Sequence, residues 1–169
     1  RINEAFDWMD EGESVHTVLR LSNWRDAWNA GQRINHMPKF SRSLFLLAGI
    51  SLMLAAMLSA YGFHGLAGKV PDAKLASWAW ANQFQFFHSI GLILIGLLLD
   101  KAAGSWLLRI AAGFMVVGLV LFSGSIYAEI LGAPQAIGDV APMGGSSFML
   151  AWLLTGIAGF RIKSQAPSP

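Results

Sequence analysis

Two histidines and a carboxylate stand at the edges of apolar runs, where polar groups are expensive and therefore informative. His64 closes one run in "AYGFHGL", His88 enters the next in "QFQFFHSIGLILIG", and Glu129 follows "FSGSIYA". On a helix, Gln85 and His88 are three apart and share a face. Ser123 and Tyr127, and likewise Ser125 and Glu129, are four apart. Such groups admit three kinds of chemistry. Histidines on neighbouring helices supply the minimum for axial haem ligation, or with Glu129 for a metal. A cluster open to one side handles protons. Otherwise imidazole, amide, hydroxyl and carboxylate satisfy one another across helices. The last is the expected reading: His64, Gln85, His88, Ser123, Ser125, Tyr127 and Glu129 form an interhelical polar network. No catalytic residue, metal set or cofactor is assigned. Haem or metal at His64 and His88 stays as the alternative, although their depths differ and no third ligand stands out. The chain has no cysteine, which excludes disulfides and thiolate chemistry. Phosphate loops, nucleophile triads and metalloprotease helix motifs are absent from the sequence.

The elements that position these groups are apolar helices. The chain is 54% hydrophobic and 13% charged, against about 25% charge in a soluble domain. Helices of about 20 residues cross the hydrocarbon core, and four are expected at about 43–64, 76–99, 106–131 and 145–162. The fold class is thus all-α, an integral membrane bundle of four transmembrane helices over 37–163, with a short tail at 164–169. Reading from Met37, the first run mimics a signal peptide, but its apolar core is long, so it is read as an uncleaved helix. Gly65, Gly91, Gly118, Gly124, Pro142, Gly144 and Gly145 are expected to serve helix packing and turns. Trp78, Trp80, Trp106 and Trp152 lie near the expected helix ends, where indole favours the interface.

Basic residues set the orientation. Arg33, Lys39, Arg42, Lys101, Arg109, Arg161 and Lys163 flank one side of the spans, and only Lys69 and Lys74 the other. Both termini are therefore expected to be cytoplasmic. The conspicuous polar groups then fall in the outer half of the bundle, which argues against a continuous ion path. The basic surplus accompanies the apolar part, as at membrane flanks and not as in nucleic-acid binding.

Residues 1–36 read differently. Asn3 and Ser14 can cap two short amphipathic helices, ended by Gly12 and Gly31. They are too polar to span and too apolar to be free in water. The acidic start, "NEAFDWMDEGE", disfavours anionic lipid, so Phe6, Leu21, Trp24 and Trp28 are expected to dock on a partner chain.

In order, "AYGFHGL", "QFQFFHS", "FSGSIY" and "PMGGSSFMLAWL" resemble the signatures of the DUF423 family of small inner-membrane proteins, which includes the bacterial YgdD-like proteins and an animal mitochondrial relative. The resemblance covers about residues 42–160. It departs at Tyr61 and Phe63, which stand where smaller residues are usual, and at residues 1–36, which have no counterpart. It implies four membrane helices and transfers no activity. The expectation is a non-enzymatic structural or accessory subunit, in contact with the lipid bilayer and other integral membrane subunits. Its expected place is the bacterial inner membrane, with the mitochondrial inner membrane as alternative. A cofactor-binding or solute- or proton-handling protein is the competing reading.

Overall fold

Prolines and glycines punctuate the chain into helices. The structure, a computed structural model, describes residues 37–102 and 104–162. The extension bearing Phe6, Leu21, Trp24 and Trp28, the tail at 164–169, Arg33 and Lys163 lie outside the described residues. Pro38 precedes α1 (Lys39–Tyr61), which runs on into a π-helical turn, π1 (Gly62–Leu66). Pro71 precedes α2 (Asp72–Lys101). Ser105 caps α3 (Trp106–Gly118) by accepting from the Leu108 amide, as N-cap hydroxyls do. A second π-helical segment, π2 (Leu119–Gly124), leads into α4 (Ser125–Ile130). A short α5 (Gln135–Gly138) precedes α6 (Ala141–Arg161). Pro142 falls in the first turn of α6, where its missing N–H has no carbonyl to serve. The fourth helix therefore starts earlier than the expected 145, and "PMGG" is helical.

Four helical stretches are long and apolar enough to cross a membrane: Lys39–Leu66, Asp72–Lys101, Trp106–Ile130 and Gln135–Arg161. They are called the first to fourth spans below. The turns leaving the first and third spans pass through Gly68 and Gly132, at φ of 73° and 109°, a region that side chains other than glycine's disfavour. Among the described residues every regular element is helical. The first span packs chiefly along the second, the second meets the third, and the fourth lies chiefly along the third.

Buried residues fall into layers along this frame. One apolar cluster holds Leu44, Ala48, Leu92, Ile95, Leu108, Met115 and Ala151. A smaller one at the His64 end holds Leu66, Trp78, Ala81 and Tyr127. Along the second span, Asn82, Gln85 and Ser89 come between the two. The core is thus interrupted by a polar layer, and that layer is the candidate site.

Candidate functional site

The second span is the hub of the layer. Trp78, Asn82, Gln85 and Ser89 recur at helical spacing and form one stripe. Leu58, Ala55 and Ser51 form the matching stripe on the antiparallel first span. The indole Nε1 of Trp78 donates to the Leu58 carbonyl at 2.9 Å. Asn82 Nδ2 donates to the Ala55 carbonyl at 2.7 Å, and Gln85 Nε2 to the Ser51 carbonyl at 3.0 Å. Ser89 closes the ladder by donating to Ser51 Oγ at 2.7 Å. These carbonyls can accept because each has a second lone pair beyond its helical bond. Small residues make the approach possible: Ala48, Ala55 and Ala81 are fully buried.

The third span is stitched to the same hub. Tyr127 donates to Gln85 Oε1 at 3.0 Å and accepts from Asn82 Nδ2 at 3.3 Å. Ser123 donates to the Ala81 carbonyl at 2.8 Å. A continuous chain results, from the Ala55 carbonyl through Asn82, Tyr127 and Gln85 to Ser51 and Ser89. Gln85 spends both its amide functions in it, and the Asn82 Nδ2 donates twice, to the Ala55 carbonyl and to Tyr127. Within hydrocarbon, where no water competes, that closure is what makes such groups tolerable.

Of the seven side chains expected in the network, Gln85, Ser123 and Tyr127 bond between helices. The other four are placed otherwise. His88 turns toward the fourth span: its ring lies 3.5 Å, centroid to centroid, from Phe148 at 19°, with Phe84 at 5.4 Å. Its Nδ1 faces the Phe84 carbonyl of its own helix at 2.7 Å. Three residues of helix rotate about 300°, enough to divide Gln85 and His88 between two neighbours. Ser125 donates back to the Leu121 and Phe122 carbonyls, at the change of register out of π2. Glu129 lies near the end of its span, 3.6 Å from Lys74 Nζ, where partial exposure replaces the expected buried partner. His64 is exposed, edge-on to Phe63 at 5.1 Å. Among the described residues, no three His, Asp or Glu side chains converge as a metal set.

The small residues also divide. A Cβ on Gly144 would collide with the Phe122 backbone nitrogen and lie 2.8 Å from the Leu121 carbonyl carbon, so α6 rests on the π2 backbone. Gly118 faces the Phe148 ring, Gly65 the Tyr61 ring, and Gly91 Met115 and Trp152. A Cβ on Gly124 or Gly145 would meet nothing closer than 3.9 Å, an ordinary contact distance, so the close approach at these two positions does not require glycine.

Sequence reasoning missed Ser51, Asn82 and Ser89, and set Trp78 at the interface, whereas its ring is buried and its indole bonded to the first span. The signal was present in the spacing of 51, 55 and 58 against 78, 82, 85 and 89. Three of its acceptors are backbone carbonyls, of Ser51, Ala55 and Leu58, which no side-chain reading reveals.

Comparison with known proteins agrees with this architecture. Residues 58–145 match the family described as "Protein of unknown function (DUF423)". The chain is 35% identical to the UPF0382 membrane protein YwdK of Bacillus subtilis (strain 168), over 69% of this chain and 94% of that protein. A UPF0382 membrane protein of Staphylococcus aureus (strain bovine RF122 / ET3-1) is 33% identical over 70% of this chain and 96% of its own length. No solved structure matches. With a family match over residues 58–145 and relatives aligned over nearly their whole length, this chain belongs to the DUF423 family of membrane proteins.

Proposed function

We propose that the chain is a non-enzymatic structural or accessory subunit of a larger membrane complex. One observation carries the reading: Trp78, Asn82, Gln85, Ser89, Ser123 and Tyr127 bond to neighbouring helices. Groups so committed hold helices in register and are not free as stations for a solute or proton. The open order of packing supports it further. The first span rests chiefly on the second, so Leu46, Ile50, Met53 and Met57 stay exposed along it, available to lipid or to another subunit. Bacterial relatives named as membrane proteins support a bacterial membrane, and four apolar helical spans suit the inner one. The charge distribution supports cytoplasmic termini.

The test is affinity purification of the tagged full chain from its own membranes in mild detergent, with identification of co-migrating chains. Defined partners at fixed ratio are expected. Deleting residues 1–36 should leave the spans inserted and lose those partners. A solitary species that moves a solute across vesicles, or a purified protein with a Soret band, would sink the reading.

A further inference from the structure

Gln83 and Gln85 stand two apart in "NQFQF", about 200° apart around the helix. Gln85 is consumed by the ladder; Gln83 is exposed on the opposite side. It lies about three turns into α2, one turn beyond Trp80 and at the start of the span's most apolar part. Among the described residues its amide has no hydrogen-bond partner, and neither has the exposed Ser59 hydroxyl. An unpaired amide in hydrocarbon is a standing penalty.

Both groups line one cleft between the first two spans, of about 710 Å³. Its aromatic lining is Phe63, Trp78, Phe86 and Phe87. The π1 turn carries Phe63 to this rim, and Gly62 beside it lets the backbone lie against the Trp78 indole. The volume is that of a small-molecule site, and a few polar groups set among aromatic ones is the usual composition of such sites. A second cleft, of about 350 Å³ between the first and third spans, differs in the decisive respect. Its polar lining residues Ser51, Gln85, Ser123 and Tyr127 are already hydrogen-bonded.

We propose that the cleft of Ser59, Phe63, Gln83 and Phe87 binds a membrane-soluble amphiphile whose flat head group carries carbonyl or hydroxyl oxygens. The aromatic rings take the faces of the head group. The Gln83 amide and Ser59 hydroxyl bond its oxygens, and the apolar tail leaves along the exposed side of the second span. An acyl chain alone would fill the volume and leave the amide unpaired. This goes beyond the accessory-subunit reading and does not depend on it.

Decylubiquinone, with ring carbonyls on an apolar tail, is the probe, and decylbenzene the control without oxygens. The full chain in phosphatidylethanolamine–phosphatidylglycerol nanodiscs is titrated with each. Binding is read by the shift in unfolding midpoint and by native mass spectrometry. Saturable binding of one quinone per chain is expected, with Gln83→Leu about tenfold weaker and Ala79→Phe, which fills the cleft, without binding. Gln83→Leu should keep or raise the ligand-free midpoint, since it removes an unpaired amide from lipid. Equal uptake by all three proteins, or decylbenzene binding as tightly as the quinone, would overturn the proposal. So would Gln83→Leu abolishing chain-to-chain crosslinking while quinone binding stands, which would assign the cleft to a second copy.

Discussion

Gln85 and His88 lie within one helical turn, yet the structure gives them different work. Gln85 bridges three spans through Ser51 and Tyr127. Replacing it with Leu strands the Tyr127 hydroxyl and the Asn82–Tyr127 end of the chain, at about 1–3 kcal/mol. His88 contributes mainly its ring face, stacked on Phe148. His88→Phe should therefore stay within about 1.5 kcal/mol of wild type, whereas His88→Ala empties the stack and should lose about 3 kcal/mol. Unfolding in detergent micelles measures all three. If His88→Phe were as damaging as His88→Ala and also stripped a chromophore or metal, the ring would be a ligand. At this scale the sequence was partly legible. Spacing placed Gln85 and Tyr127 among the bonded residues, but a common helical face also grouped Gln85 with His88. Which neighbour each side chain meets depends on tertiary packing, and the 60° between them straddles two helices.

Among the elements, π2 and the start of α6 depend on each other most closely. Gly144 sets the α6 backbone against that of Leu121 and Phe122, and backbone has little room to yield. Gly144→Ala should then lose about 1–3 kcal/mol through overpacking, and Gly145→Ala, with its nearest neighbour 3.9 Å away, should be close to neutral. Thermal unfolding of the two variants decides; equal effects would mean that α6 does not seat on π2 as described. The four spans were legible because apolar runs of sufficient length, bounded by Pro38, Pro71 and the loop glycines, have few alternatives in lipid. The π segments were not. A register shift of one residue leaves composition and periodicity nearly unchanged, and what marks it is the fit of Phe122 against α6. Gly124 and Gly145 illustrate the same limit: in sequence they look like Gly118 and Gly144, and only the facing surface tells them apart.

For the whole molecule, the layers make its two ends unlike. The ladder and the cleft lie toward the turn after the first span, with Lys69 and Lys74 as the nearby bases. The opposite end carries Lys39, Arg42, Lys101, Arg109 and Arg161 around a core that is mainly aliphatic. Ser41 Oγ and Asp100 Oδ1, buried atoms at that end, are not joined to the ladder. Lysine and arginine near short loops resist translocation, so the richer end is expected to stay in the cytoplasm. The absence of cysteine from the chain makes this directly measurable, because any thiol signal comes from the introduced residue. Lys69→Cys places one thiol in the turn after the first span. Gly104→Cys places another between the second and third spans, at an exposed position where an added Cβ meets nothing within 4 Å. In spheroplasts, a membrane-impermeant maleimide should label the first variant at once and the second only after permeabilisation. The reverse pattern would invert the molecule and put both ladder and cleft in the cytoplasmic leaflet. It would also require a force stronger than five flanking cations against two.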